Sequence, residues 1–433
     1  MTANVAAVER SSLAARRRLL GPLAGAPLLS LAMVVSGVLT YAYHFLVART
    51  LGPHGYGQIA ILWAAIFVAA IVIFRPLEQT ASRAVADRLA RGLEIRSVLR
   101  SVTLIGAVAL VLTCGVFALA WSEISQRVFL GDTGLTAMLL LGIAAYGLSY
   151  VVRGLLGGAR WFGGYAIALL ADALCRLLVA APLVLYASQS AAAAALVAAG
   201  LGGAIFPIVF GRRLLHRILA NHDGVAFHAG SAVAFAAPAS VIAAADQLLT
   251  NGAPLLVIAG NGSDGTAAAG LVMAATLLVR APVYVFQGLA AALLPNFTHL
   301  HATEDAARFR RAVVRVAAFL LLAGGAIVAF AGTVGPAAMS LYGPGFAAGR
   351  GELILLGAGV AFYLAASTFS QALLAVDRGG RAAGAWVIAS IAFIGAYAAL
   401  PGSELERISL AFAVATFVDL ILLGAFLVGR TRR

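Results

Sequence analysis

RAVADRLARGLEIRSVLRSVTLIGAVALVLTCGVFALA, residues 83–120, decides the fold. Its first part carries Arg83, Arg88, Arg91, Arg96 and Arg100, while the run from Leu104 to Ala120 carries no charge. That run shows no period-two alternation, as a strand of a membrane β-barrel would require. With its flanks it reaches the roughly 20 apolar residues that a helix needs to cross a bilayer. A basic segment followed by an apolar run is the unit from which the rest of the chain is built.

The pattern repeats along all 433 residues, of which 62% are hydrophobic and 11% charged. Soluble domains carry about a quarter charged residues, and a mean hydropathy of +0.98 excludes that class. Twelve spans are expected, near 25–48, 58–80, 101–121, 133–157, 162–186, 189–210, 230–259, 266–292, 312–333, 351–375, 382–400 and 405–428. All thirty basic side chains are arginine, and twenty-three fall in seven short segments. With twelve spans every such segment, from the N-terminal tail to Arg430, Arg432 and Arg433, lies on one face. The preference of cytoplasmic loops for Arg makes that face cytoplasmic and puts both termini inside. The net charge of +13 is therefore a topological signal spread over short loops, and no nucleic-acid partner is expected. The apolar stretch from Pro27 to Ala48 exceeds the 7–15 residues usual for a signal-peptide core, so it reads as an uncleaved first span.

The fold class expected is an all-α polytopic membrane protein with two six-helix lobes. The N-terminal tail covers 1–24, the N-lobe 25–210, a cytoplasmic linker 211–229 and the C-lobe 230–433 with its short basic tail. The halves are weakly alike. LLLGIAAY (139–146) with RGLLGGAR (153–160) corresponds to ILLGAGVAFY (354–363) with QALLAVDR (371–378), and FLGD (129–132) to LYGPGF (341–346). Arg160 and Arg378 are 218 residues apart on this alignment. Six-plus-six repeats place substrate sites at the repeat interface near the midplane.

Only Arg75, Arg176 and Arg280 lie inside apolar runs. Counting at about 1.5 Å per residue puts Asp172, Arg176, Asp246, Arg280 and Asp419 near the bilayer centre. Each costs about 2.5–3.5 kcal/mol there, so each must face protein or water and be paired. Asp172 and Arg176 are four apart on one helix and can neutralise each other. Arg280 has no acid at that spacing, so it pairs with Asp246 or Asp419 on another helix or stands in a wet cavity. Gln247 and Asn251 follow Asp246 and extend its polar face. Arg75 and Glu78 lie toward the cytoplasmic end of the second span, where they line the cavity or reach the interface. Pro76 and Pro282 adjoin Arg75 and the Arg280 turn, and each frees a backbone carbonyl. Tyr41, Tyr43 and His44 read as interfacial anchors. Arg153 belongs with the cytoplasmic arginines, and Gly55-Tyr56-Gly57 with a short external loop.

Cys114 and Cys175 fall in apolar runs and read as free buried thiols. No metal spacing, nucleophile–base pairing or phosphate loop appears, so no enzyme activity and no cofactor are expected.

ARTLGPHGYGQIAI (48–61) resembles the hallmark of the polysaccharide-transporter, Wzx-like oligosaccharide flippases of the multidrug/oligosaccharidyl-lipid/polysaccharide (MOP) superfamily: a first helix ending in Arg, then Leu-Gly and Gly-x-Gly. RAPVYVFQGLAAALLPNFTHL (280–300) and LYGPGF (341–346) resemble further segments of that family, and the likeness runs from about residue 27 to 425. The resemblance implies two lobes around a central cavity in the plasma (inner) membrane. It implies alternating access, with a polyprenyl-pyrophosphate-linked glycan moved to the external leaflet. Glycosyltransferases or a polysaccharide polymerase would be its partners beside the lipid bilayer. Arginine suits a pyrophosphate because its donors are bidentate and stay protonated. Arg280 and Arg75, on helices that line the family's cavity, are the first candidates for that contact, with Arg49 at the outer rim third. Asp246, Asp419, Glu78, Asp172, Arg176, Gln247 and Asn251 are candidates for the polar lining and for coupling.

Three other readings compete. A drug/cation antiporter of the same superfamily usually has an acid in its first helix, and the first span here has none. A major-facilitator transporter carries Gly-x-x-x-Asp-Arg-x-Gly-Arg between spans two and three; here Asp87-Arg88 is present, but Arg83 and Ala90 replace both glycines. A non-transporting scaffold for polysaccharide assembly would not need cations at depth.

Overall fold

The computed structural model describes residues 26–182, 186–219, 230–281, 293, 297 and 306–428. The expected N-terminal tail, most of the linker, Pro282 with the rest of the 280–300 motif, and the last arginines lie outside them. The described residues are helical with short connections and no strand.

α1 (Ala26–Ala90) has 65 residues and would be about 97 Å long if straight. That is three bilayer cores, so it cannot be one span. It breaks at Gly52, whose φ of 66° and ψ of −178° are not helical. A side chain at that φ is strained, and Pro53 supplies no N–H where the second limb starts. The limbs 26–51 and 53–90 hold the first two expected spans. Then come α2 (Arg96–Leu119), the short α3 (Trp121–Arg127), α4 (Thr133–Gly158), α5 (Phe162–Ala180) and α6 (Gln189–Leu219). The second half has α7 (Gly230–Asn251), α8 (Ala253–Asn261), α9 (Thr266–Ala281), α10 (Ala306–Thr333), the short α11 (Gly335–Ser340), α12 (Arg350–Ala375), α13 (Gly379–Ala399) and α14 (Glu404–Val428).

All twelve expected segments carry a helix, with three corrections. The second limb of α1 runs ten residues beyond the expected end, and Arg88 ties its tip down by donating to Glu94 O at 2.7 Å and Ser97 Oγ at 2.8 Å. α6 continues to Leu219, into the segment expected to be linker. The seventh span is not continuous: α7 and α8 meet at an angle of 66° across Gly252.

Within the first half α1 packs on α4 and α5, and α6 on α4 and α5; within the second, α12 packs on α10 and α14, and α13 on α14. α7 joins the two sets, touching both α1 and α13. α2 stands at the edge and turns Leu104, Val108, Val111, Leu112, Val116 and Leu119 outward. In water that stripe would be a liability; facing lipid chains it costs nothing.

The internal repeat is sharper than the sequence alignment. Thr133 and Arg350 start α4 and α12, Gly158 and Ala375 end them, and Arg160 and Asp377 follow with φ of 54° and 57°. Each pair is 217 residues apart, one fewer than the Arg160–Arg378 match. The short helices α3 and α11, which the sequence reading did not foresee, precede α4 and α12 in each half. The shift of 217 also pairs Tyr146 with Tyr363.

Candidate functional site

The two paired tyrosines each serve a polar network, and the networks differ. In the first half, α5 places Asp172 and Arg176 one turn apart, and both are buried. Arg176 Nη2 bonds Asp172 Oδ1, and Arg153 Nη2 approaches Asp172 Oδ2 at 3.3 Å. Arg176 also donates to Thr40 Oγ1 at 2.8 Å and Tyr146 OH at 3.1 Å, and its guanidinium lies 4.7 Å from the Trp63 ring centre. Two cations therefore hold one carboxylate among aromatic rings, out of reach of solvent. Breaking such a pair by removing one partner costs about 3–5 kcal/mol. This is the self-neutralised pair expected for Asp172 and Arg176, enlarged by Arg153. The structure corrects the grouping of Arg153 with the cytoplasmic loop arginines: it lies within α4, inside the fourth expected span, and its side chain reaches Asp172 of α5.

The same cluster corrects Tyr43, His44 and Gly55-Tyr56-Gly57. Because the chain reverses within one residue at Gly52, side chains before the break face side chains after it. His44 Nδ1 is 3.0 Å from Tyr56 OH, the His44 ring lies 4.4 Å from Trp63, and Tyr43 OH donates to Ala192 O at 2.8 Å. Tyr43, His44 and Tyr56 are 0% exposed, so they are core residues, not interfacial anchors or loop. Tyr41 likewise donates inward, to Leu277 O of α9 at 2.6 Å.

In the second half the network starts from a proline. Pro254 has no N–H to offer the carbonyl four residues earlier, that of Thr250. α7 ends there, and Arg280 Nη1 of α9 donates to the freed Thr250 oxygen. Beside them Arg280, Thr250 and Thr276 border a small, otherwise apolar cavity with room for about one water. Arg280 Nε has no partner among the described residues. Asp246, one turn before Thr250, accepts from Tyr363 OH of α12 at 2.7 Å and from Gln247 Nε2 at 2.9 Å, while Asn251 donates to Gln247 Oε1 at 2.7 Å. Asp419 of α14 is 1% exposed, and its Oδ1 has no partner among the described residues. Among the described residues Arg280 and Asp246 form no ion pair: Arg280 bonds the Thr250 carbonyl, and Asp246 bonds Tyr363.

Arg75 is half-buried on the second limb of α1, close enough to Glu78 of its own limb and Asp246 of α7 for their charges to act on it. Glu78 accepts from Tyr165 OH at 2.7 Å, so it is engaged with the first half instead of reaching the interface. Arg75, Glu78, Asp246 and Arg280 are all half-buried, whereas Asp172, Arg176, Arg153 and Asp419 are buried. The first four are thus the more accessible of these charged groups.

Arg49 lies apart from that set, at the end expected to face outward. It is exposed and donates to Leu341 O at 3.3 Å across the halves. Around it Phe45 packs on Tyr342 and Tyr56 on Phe346, with ring centres 5.4 and 5.8 Å apart. Burial pushes the Tyr342 phenol up to about 12, so this contact stays neutral at ordinary pH. A Cβ on Gly57 would lie 1.9 Å from Thr266 O of α9, and one on Gly270 would lie 2.4 Å from Pro53 O. Here the halves meet backbone to backbone, and only glycine fits. The stretch 48–61 that carries the resemblance is thus a closed seam between the halves, at the end expected to face outward.

No protein-family model matches the chain. An uncharacterized protein of Mycobacterium tuberculosis is 27% identical over 313 residues, covering 70% of this chain and 69% of its own, and an uncharacterized protein of Mycobacterium bovis matches equally. Among solved structures, a multidrug resistance MATE family transporter of the MOP superfamily in its inward-facing conformation has a TM-score of 0.71 at 14% identity, covering 92% of this chain and 96% of that one. An outward-facing structure described in the same words has 0.64 at 14%, covering 95% and 96%. A eukaryotic MATE transporter has 0.67 at 13%, covering 95% and 96%. This chain is a multi-pass helical membrane protein with the fold of MATE transporters of the MOP superfamily.

Proposed function

We propose that this protein is a flippase that moves a polyprenyl-pyrophosphate-linked oligosaccharide from the cytoplasmic to the external leaflet of the plasma (inner) membrane, for cell-surface polysaccharide synthesis. The observation that carries the proposal is Arg280. It lies about 21 Å from the outer end of α9, and among the described residues no carboxylate bonds it. Its guanidinium keeps a donor free in a half-buried position between helices. A fixed cation kept there without an ion pair is costly, and an anionic cargo would repay that cost. Arg75 supplies a second cation from the opposite half. Glycosyltransferases and a polymerase would supply and consume the cargo.

The test is mass spectrometry of lipid that co-purifies with the protein in mild detergent. A polyprenyl-pyrophosphate glycan retained by the wild type and lost from the Arg75→Ala, Arg280→Ala double variant supports the proposal. Absence of any pyrophosphate lipid, or equal retention by the variant, contradicts it.

A drug/cation antiporter is the second reading. It is favoured by Asp246 and Asp419, one half-buried and one buried with an unpartnered oxygen. Ion-coupled export of cationic dyes, lost in Asp246→Asn and Asp419→Asn while no lipid is retained, would favour it over the flippase.

A further inference from the structure

Tyr146 and Tyr363 occupy equivalent places in the two halves, yet among the described residues only the network around Tyr146 contains an ion pair. In the first, Arg176 bonds Asp172 directly and also donates to Tyr146 OH. In the second, Arg280 turns to the Thr250 carbonyl, and Tyr363 OH donates a hydrogen bond to Asp246. Asp246 also acts on Arg75 from the other half. The carboxylate therefore accepts from Tyr363 and Gln247 within the field of Arg75, and the charge of Arg280 acts on the same Tyr363; these are donors and cations that a phosphate would seek, and Asp246 is half-buried, open to exchange.

We infer that Asp246 is a resident counter-anion: it occupies the donor set between the halves when no cargo is bound, and an incoming phosphate displaces it by taking over the Tyr363 hydroxyl and the field of Arg75 and Arg280. This rests on the flippase reading above. It assigns Asp246 and Tyr363 opposite effects on the same ligand. The carboxylate repels a phosphate, so it weakens binding and keeps the site from holding cargo too tightly for release. The phenol strengthens binding by donating a hydrogen bond to whichever anion is present. A purely structural role for the Asp246–Tyr363 bond predicts instead that both substitutions act in the same direction.

The experiment measures binding of farnesyl pyrophosphate to the purified full-length protein in nanodiscs, with farnesol as the neutral control. Removing one like charge close to the phosphate should tighten binding on the order of tenfold in Asp246→Asn. Asp246→Glu, which keeps the charge, should bind like the wild type, and Tyr363→Phe should bind several-fold more weakly. Farnesol should bind all four proteins alike. Unchanged or weaker pyrophosphate binding by Asp246→Asn, with the wild type binding normally, overturns the inference and leaves the flippase reading in place. If Asp246→Asn does not fold, tighter or unchanged binding by Tyr363→Phe overturns it equally. Failure of the wild type to prefer the pyrophosphate over farnesol sinks the cargo reading itself.

Discussion

Replacing Gly57 by alanine should wedge the outer seam open. The added Cβ would lie 1.9 Å from Thr266 O, and contacts under 3.0 Å are essentially never seen, so α1 and α9 must part by at least about 1.1 Å. The obstacle is a helix backbone, which cannot swing aside as a side chain would. Overpacking of this kind costs about 1–3 kcal/mol. The cost falls only on the state in which the halves touch here, so the equilibrium should move toward the outward-open state by about 5- to 150-fold. The assay is a distance measurement between spin labels at His54→Cys and Leu341→Cys, with Cys114 and Cys175 replaced by alanine. Both labelled positions are exposed and lie on opposite halves of the seam. The short-distance population should fall in Gly57→Ala and in Gly270→Ala. Gly115→Ala on α2, where a Cβ meets nothing within 4 Å, should leave it unchanged. A wild-type distance distribution in Gly57→Ala would refute the reasoning that backbone contact at this point closes the outer side.

Three further outcomes are expected. Arg176→Ala leaves Asp172 with Arg153 alone and should lower stability by about 3–5 kcal/mol, seen as a lower melting temperature in detergent, whereas Arg280→Ala should melt near the wild type and lose pyrophosphate binding. Pro254→Ala restores an N–H facing Thr250 O, competes with Arg280 for that carbonyl and straightens the bend at Gly252; binding of a prenyl pyrophosphate should change in this variant while the melting temperature holds or rises. Arg49→Ala removes one exposed hydrogen bond to Leu341 O, worth about 0.5–1.5 kcal/mol, so it should open the seam less than Gly57→Ala in the same distance measurement.

Much of the fold was legible because lipid imposes a simple rule: an apolar run of sufficient length must be a helix. The twelve segments and the depth of Arg280 follow from counting. What counting missed depends on where chains turn and what they turn against. Arg153 was grouped with Arg160 as a cytoplasmic arginine, but it lies within α4 and meets Asp172 on α5. Tyr43 and His44 were placed at the interface because they stand near the outer end of the first span, but the break at Gly52 brings the second limb against them. The second-half site had one readable signal that was passed over: Pro254 stands four residues after Thr250, so a carbonyl is freed at that depth. The contact of Asp246 with Tyr363, 117 residues away, had none, because nothing local brings α7 to α12. Arg75 and Arg280 were singled out by depth; their shared neighbour Asp246 is a product of the packing.

The most direct test of transport is leaflet exchange in liposomes. Purified protein is reconstituted with a fluorescent polyprenyl-pyrophosphoryl sugar, and a membrane-impermeant quencher reports the fraction left in the outer leaflet over time. The account predicts protein-dependent exchange that is lost in Arg280→Ala and slowed in Gly57→Ala. Exchange no faster than in empty liposomes, with several sugars tried, would contradict it.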